Sequence, residues 1–222
     1  MKTCVLIPAY NEGKTIGPIV HALRKRHFPV VVVDDGSKDD TQKIAQREGA
    51  VVLRNDPNHG KGFSLQRGFE YILQHGYEGV IMMDGDGQHD VEDVDKFLDV
   101  IAREPVSIVN GNRMALAKGM PLIRYLTNRI MSWMISSVCG QRIADTQCGY
   151  RYVASQILKQ IHLESGDFEI ETEILMKAAK KGYKIYSVPI RTIYSGQVSQ
   201  IHPFKDTIRF IRYFSKEIFQ KK

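Results

Sequence analysis

Short apolar runs recur along the first half of the chain, at residues 3–7, 30–33, 50–53, 79–83 and 106–109. They lack the apolar/polar alternation of a strand with one wet face. Near-continuous apolar character belongs to strands buried on both faces, as in a parallel sheet. Between them lie stretches with helical patterning at 15–25, 39–48, 61–75 and 91–103. Asp39 or Asp40 stands where the second helix needs an N-cap, and Asp90 where the fourth does. This β-α-β-α rhythm specifies a doubly wound α/β sheet, which binds its ligands beyond the carboxyl ends of the strands. At 222 residues, 43% apolar and 25% charged, the chain suits one domain with a sizeable core.

After residue 112 the rhythm is lost. Residues 120–138 form a helix-like run of Met, Ile, Leu and Trp interrupted by Arg124 and Arg129. A strand at 149–153, a helix at 170–181 and a strand at 184–189 follow, then a basic run from residue 205. In that run Ile208, Ile211, Phe214 and Ile218 share one helical face, with Arg209, Arg212, Lys216, Lys221 and Lys222 largely elsewhere. Such a helix can lie on an anionic membrane, pack on the sheet or mediate dimers.

Cys4, Cys139 and Cys148 are odd in number and form no CxxC pair, which points to a reducing cytosol rather than a disulfide frame or a zinc site. There is no signal-peptide pattern and no run of about 18 apolar residues that would span a membrane. The net charge of +6 fits a solvated surface, or a partner rich in phosphate such as a nucleotide, a nucleic acid or an anionic membrane.

The polar residues gather where strands end. Pro8-Ala9-Tyr10-Asn11-Glu12 follows the first strand. Asp34-Asp35-Gly36-Ser37, with Asp39, Asp40 and Thr41, follows the second. Asp84-Gly85-Asp86-Gly87-Gln88-His89 follows the fourth. One Asp-Gly-Ser is commonly just a turn and a cap, but three polar loops at one sheet edge define a site. If strand geometry continues through Asp84 and Asp86, their carboxylates point the same way. Two converging carboxylates suit Mg²⁺ or Mn²⁺, with Gln88 or His89 able to join; a solvated acidic turn is the alternative. Gly85 and Gly87 leave room for a ligand at the backbone.

Lys61-Gly62 opens a helix without completing a phosphate-loop motif, and either faces an anion through its N–H groups or simply starts the helix. Arg113, Arg124 and Arg129 suit phosphate. Beside the apolar run 120–138, they fit an anionic head on an apolar chain; the alternative is a plain core helix with snorkelling arginines.

In this order and at these intervals, the motifs, with Asn58-His59-Gly60-Lys61-Gly62, resemble those of family 2 glycosyltransferases of the GT-A fold. The chain is most similar to the polyprenyl-phosphate sugar transferases of the dolichol-phosphate mannosyltransferase type, over roughly residues 3–215. The resemblance implies a three-layer fold around a mostly parallel sheet. It implies a nucleotide-sugar-binding half over 1–112, an acceptor half over 113–200 and a C-terminal amphipathic helix over 201–222.

Pro8, Tyr10, Glu12 and Asp35 match positions that cradle base and ribose, with Lys61, Asp84 and Gly85 beside the donor. Asp84, Asp86 and Gln88 match metal-binding positions. Asp86, Arg113 and Arg124 are the implied catalytic set, the two arginines in a loop near the transferred sugar and lipid phosphate. Asp145-Thr146-Gln147-Cys148-Gly149-Tyr150-Arg151 is similar to a D-x-x-[ST]-G-[FY]-[KR] element, with Cys148 in the Ser/Thr place. Asp167-Phe168-Glu169-Ile170-Glu171 resembles a later acidic helix start, and Val188-Pro189-Ile190 and Ser199 the region before the last helix. Gln200 follows Ser199 where Lys is usual, and His202 or Lys205 are the nearby substitutes.

The implied activity is metal-dependent, inverting transfer of a hexose from GDP-mannose or UDP-glucose to a polyprenyl or dolichyl phosphate, in the cytoplasm or at its membrane face. A soluble or polysaccharide hydroxyl is the alternative acceptor. A nucleotidyltransferase would place a Gly-rich loop after the first strand, where this chain has Pro-Ala-Tyr-Asn-Glu. A nucleic-acid-binding module would meet repulsion at the acidic sheet edge, so no nucleic-acid partner is expected.

Overall fold

The computed structural model describes residues 2–103, 106–117 and 119–193. Seven strands form one sheet: β1 (Thr3–Ala9), β2 (Val30–Asp34), β3 (Val51–Arg54), β4 (Gly79–Met82), β5 (Ile108–Asn112), β6 (Arg151–Ala154) and β7 (Ile185–Pro189). The helices are α1 (Ile16–Lys25), α2 (Thr41–Arg47), α3 (Lys61–Gln74), α4 (Val94–Arg103), α5 (Leu122–Cys139), α6 (Ser155–Leu158) and α7 (Glu169–Lys180). The spatial strand order is β3-β2-β1-β4-β6-β5-β7. The apolar runs are buried as their composition requires: every residue of β2 and of β4 is buried. β3 lies at the edge and is only partly covered.

The α/β expectation holds, with shifted element ends. β5, β6 and β7 start later than expected, at Ile108, Arg151 and Ile185. The fourth helix divides into a 3₁₀ turn, Val91–Asp93, and α4. Asp90 caps that turn, its Oδ1 accepting from the Glu92 N–H at 2.9 Å. Asp39 serves α2, accepting from the Thr41 N–H at 3.1 Å, while Asp40 makes no side-chain cap bond.

Two features of the topology place the site. The chain winds from β1 outward to β3, then crosses back through α3 to β4 on the other side of β1. The crevice at such a reversal opens at the carboxyl ends of β1 and β4. β6 runs antiparallel between β4 and β5, pairing Arg151 with both Met82 and Asn110. Its amino end, with Cys148 and Gly149 just before it, therefore reaches the edge where β4 and β5 finish.

α5 is not a core helix. It buries Asn128, Ser132 and Ile135 but leaves Leu122 (70%), Ile123 (81%), Leu126, Ile130 and Trp133 (71%) exposed. Residues 122, 126, 130 and 133 recur at helical spacing, so they form one stripe. No helix among the described residues is long and apolar enough to cross a membrane. Ser199, Gln200, His202, Lys205 and the expected C-terminal amphipathic helix at 201–222 lie outside the described residues.

Candidate active site

The loops after β1, β2 and β4 meet in one cleft of about 940 Å³. After β1 the chain turns at Asn11, whose φ of 57° is left-handed. Its N–H donates to Ser37 Oγ and its Oδ1 accepts from the Lys38 N–H, both at 2.8 Å. The Glu12 N–H donates to Thr41 Oγ1 at 2.8 Å. Thr15 Oγ1 donates to the Gly85 carbonyl at 2.6 Å, fastening the turn after β4 to the same frame. Pro8, Tyr10 and Glu12 line the cleft. Burial, together with Asp86, Asp39 and Asp84 and against a hydrogen bond from Thr15, pushes the Glu12 carboxyl up to about 7.

Asp35 also lines the cleft, but its oxygens are engaged within the protein. Oδ1 accepts from Asn55 Nδ2 at 2.7 Å and the His59 N–H at 3.1 Å, and Oδ2 accepts from the Gly60 N–H at 2.8 Å. Its carboxylate anchors the loop that leads into α3.

The anion-facing expectation for Lys61 is corrected. Its ammonium donates to Asp84 Oδ1 and Glu171 Oε1, each at 2.6 Å. The α3 start is covered as well: the Phe63 N–H donates to the Gly166 carbonyl at 3.2 Å. Gly62 is pressed so closely that a Cβ there would stand 2.4 Å from the Ser165 carbonyl oxygen. Burial works to lower the Lys61 pKa, but Asp84 and Glu171 overcome it and raise it. Burial works to raise that of Asp84, but Lys61 and His89 drive it far below the usual carboxylate range.

The strand-geometry argument for the two metal carboxylates is corrected too: β4 ends at Met82 and a turn follows, so the strand does not continue through Asp84 and Asp86, and the two carboxylates have different partners. Asp84 faces Lys61, with His89 Nε2 3.3 Å from its Oδ2. His89 is buried against Tyr150, and its Nδ1 has no hydrogen-bond partner among the described residues. Asp86 has no ion-pair partner among the described residues; it accepts the Gln88 N–H at 2.9 Å. Burial, and then the charge of Asp84, raises its pKa. No group of three His, Cys, Asp or Glu side chains among the described residues is placed to hold a metal. A partly buried carboxylate without a counter-cation does fit a divalent ion, provided a ligand supplies the remaining oxygens.

Across the cleft, Arg113 stands just past β5, also with a partner. Its Nε and Nη2 grip Asp145 at 2.8 and 2.9 Å, and its N–H donates to the same carboxylate at 3.1 Å. The free phosphate-binding fork expected there is spent on Asp145; among the described residues, only Nη1 donates no hydrogen bond. Behind it Arg151, fully buried, donates to Asn110 Oδ1 at 2.8 Å, to the Cys148 carbonyl at 3.2 Å and to the Glu171 carbonyl. Gly149 is required here: a Cβ would lie 2.6 Å from Asp84 Oδ2 and 2.8 Å from Glu171 Oε1.

Arg124, half-buried on α5, lines the cleft, whereas Arg129 does not. Arg129 instead lies over Tyr125 and lines a separate groove with Trp133. Two residues given no role from the sequence stand out. Asn128 lines the cleft with a buried Nδ2 that lacks a partner among the described residues. Glu171 supplies the second carboxylate on Lys61. Its signal was present in the stretch EIETEILM, where Glu171 and Glu173 interrupt a run that α7 buries almost throughout.

The profile of the family described as Glycosyl transferase family 2 matches residues 4–169. Glycosyltransferase AglJ of Haloferax volcanii is 34% identical over 209 residues, spanning 91% of this chain and 67% of its own. A UDP-N-acetylglucosamine–dolichyl-phosphate N-acetylglucosaminyltransferase of Methanococcus voltae is 29% identical over 214 residues, spanning 86% of this chain and 85% of its own. Among solved structures, the glucosyl-3-phosphoglycerate synthase of Mycobacterium tuberculosis in complex with Mn²⁺, UDP and phosphoglyceric acid superimposes with a TM-score of 0.73 at 17% identity. The match covers 95% of this chain and 75% of that one.

Proposed function

The chain belongs to glycosyl transferase family 2 and is a glycosyltransferase of the GT-A fold, and from that premise we propose that it transfers a hexose from a nucleotide sugar to a polyprenyl or dolichyl phosphate with the help of Mg²⁺ or Mn²⁺. The proposed donors are GDP-mannose and UDP-glucose. One observation carries the acceptor assignment: Asn128 Nδ2, a buried donor without a partner among the described residues, lines the same cleft as Arg124 and Arg113. A buried N–H without a partner costs about 1–3 kcal/mol, and a phosphate oxygen would satisfy it. The Methanococcus voltae relative, named for a dolichyl-phosphate acceptor, supports the same class.

In this reading Pro8, Tyr10, Glu12 and Asp35 form the nucleoside side, with Asp84 and Gly85 toward the sugar. Asp86, aided by Gln88, would hold the divalent ion together with the donor's diphosphate. That ion offsets the charge growing on the departing diphosphate. Arg124, Asn128 and the remaining Nη1 of Arg113 orient the acceptor phosphate. A phosphate is already ionised at neutral pH, so attack needs positioning rather than a general base. Attack opposite the leaving group inverts the anomeric centre.

The exposed stripe of α5 supports peripheral membrane contact. α5 carries Arg124 and Arg129 and no acidic residue, and Trp133 suits a headgroup boundary. Replacing Leu122, Ile123 and Ile130 together by Ser is expected to weaken binding to vesicles containing anionic lipid at least about ten-fold, since burying each aliphatic side chain stabilises by up to roughly 1.5–3 kcal/mol. Co-sedimentation measures it; unchanged binding would reject α5 as the contact.

The activity itself is tested by incubating the protein with Mn²⁺ or Mg²⁺, a panel of GDP-mannose, UDP-glucose and UDP-N-acetylglucosamine, and a polyprenyl phosphate. The expected product is a glycosyl polyprenyl phosphate. Glycosylation of a soluble hydroxyl alone would reject the lipid acceptor, and no turnover of any sugar nucleotide would reject the assignment.

A further inference from the structure

Lys61 is not needed for any step above, yet its ammonium is held on two sides in the cleft. Its ammonium touches one carboxylate from the donor half and one from α7, each at 2.6 Å, with only 15% of its side chain exposed. Phe168 lies 5.4 Å from it, measured to the ring centre. The convergence of Asp84 and Glu171 is built in: Gly149 leaves the space both occupy, and Gly62 holds the α3 start against the 165–167 loop. His89 approaches Asp84 from its other oxygen. Two carboxylate oxygens converge on one point, a setting that suits a cation, and the lysine nitrogen stands at that point.

We propose that the Lys61 ammonium occupies a cation position between Asp84 and Glu171 and so keeps Asp84 from serving as a metal ligand, leaving Asp86 as the metal carboxylate of the cleft. The lysine is then a positioning residue. It neutralises two carboxylates, so that an anionic donor can enter an acidic cleft, and it prevents them from drawing the divalent ion away from Asp86. The role of Asp86 rests on the proposed function, whereas the cation position does not, because Mn²⁺ alone probes it.

The test titrates Mn²⁺ into the full chain without nucleotide and follows free Mn²⁺ by electron paramagnetic resonance. Lys61→Met keeps the bulk of the side chain and removes its charge. This variant is expected to bind Mn²⁺ alone at least ten-fold more tightly than the unaltered protein. Lys61→Arg is expected to restore weak binding, and Lys61→Met with Asp84→Asn to lose the gain. No gain in Lys61→Met, or a gain that survives the second substitution, overturns the proposal. If Lys61→Met does not fold, Asp84→Asn alone decides. At saturating UDP or GDP it is expected to change Mn²⁺ affinity less than three-fold, against at least a hundred-fold for Asp86→Asn, and equal losses overturn the proposal. Failure of every nucleotide to bind would instead count against the glycosyl-transfer reading and leave the nucleotide-free result standing.

Discussion

Asp86→Ala is expected to lower kcat/KM for sugar transfer by about 10²–10³-fold, the usual cost of losing a group that stabilises charge as a bond breaks. The thermal midpoint of the nucleotide-free protein is expected to hold or rise. Asp86 has no counter-cation among the described residues, and burial beside Asp84 makes its charge unfavourable in the folded state. Removing it relieves a like-charge contact rather than breaking a pair. Asp84→Ala is expected to behave oppositely for stability, because it strips Lys61 of a 2.6 Å partner. Activity and differential scanning fluorimetry on both variants check this. A midpoint that falls as far for Asp86→Ala as for Asp84→Ala would sink the assignment of different roles to the two aspartates.

The largest stability effect is expected at Arg113. Its pair with Asp145 is bidentate, and Asp145 is fully buried. Breaking a buried ion pair by removing one partner costs roughly 3–5 kcal/mol, because the other charge stays buried alone. For a domain of this size that corresponds to a fall in thermal midpoint on the order of 10 °C. Arg113→Met should show it, and Arg113→Met combined with Asp145→Leu should recover much of the loss, since no lone charge is left. Denaturant unfolding of the two singles and the double closes the cycle. A single Arg113→Met that loses activity at unchanged stability would make Arg113 a freely available ligand group instead.

The meeting of the three polar loops was legible because each of these motifs is local. Pro8–Glu12, Asp34–Thr41 and Asp84–His89 each follow a strand whose buried character is written in consecutive residues, and parallel topology brings their ends to one edge. What stayed hidden depended on partners distant in the chain. Lys61 and Glu171 are separated by 110 positions, and no spacing rule links a helix start to a glutamate so far away. Arg113 had the right residue type at the right edge, but its chemistry is set by Asp145, which sequence patterning alone does not pair with it. The i, i+2 argument for Asp84 and Asp86 assumed that the strand continued, and the turn at Gly85 ends that geometry. For α5, composition announces an apolar stripe without saying whether protein covers it. Only the packing, which buries the Asn128, Ser132 and Ile135 face, leaves the opposite face to solvent.

The antiparallel setting of β6 gives the chain a seam. The backbone leaves the sheet after Asn112 and returns at Arg151, and the ladder places Arg151 beside Asn110, almost where it left. Everything between, including Arg124, Asn128 and the whole of α5, is a single excursion hung from one rim. Lengthening or replacing such a segment costs little in loop-closure entropy, because its two ends are already held together. The loops after β1, β2 and β4 hang from other strands and keep their places. The fold thus lets one wall of the cleft vary in size while the frame that carries the other loops stays constant.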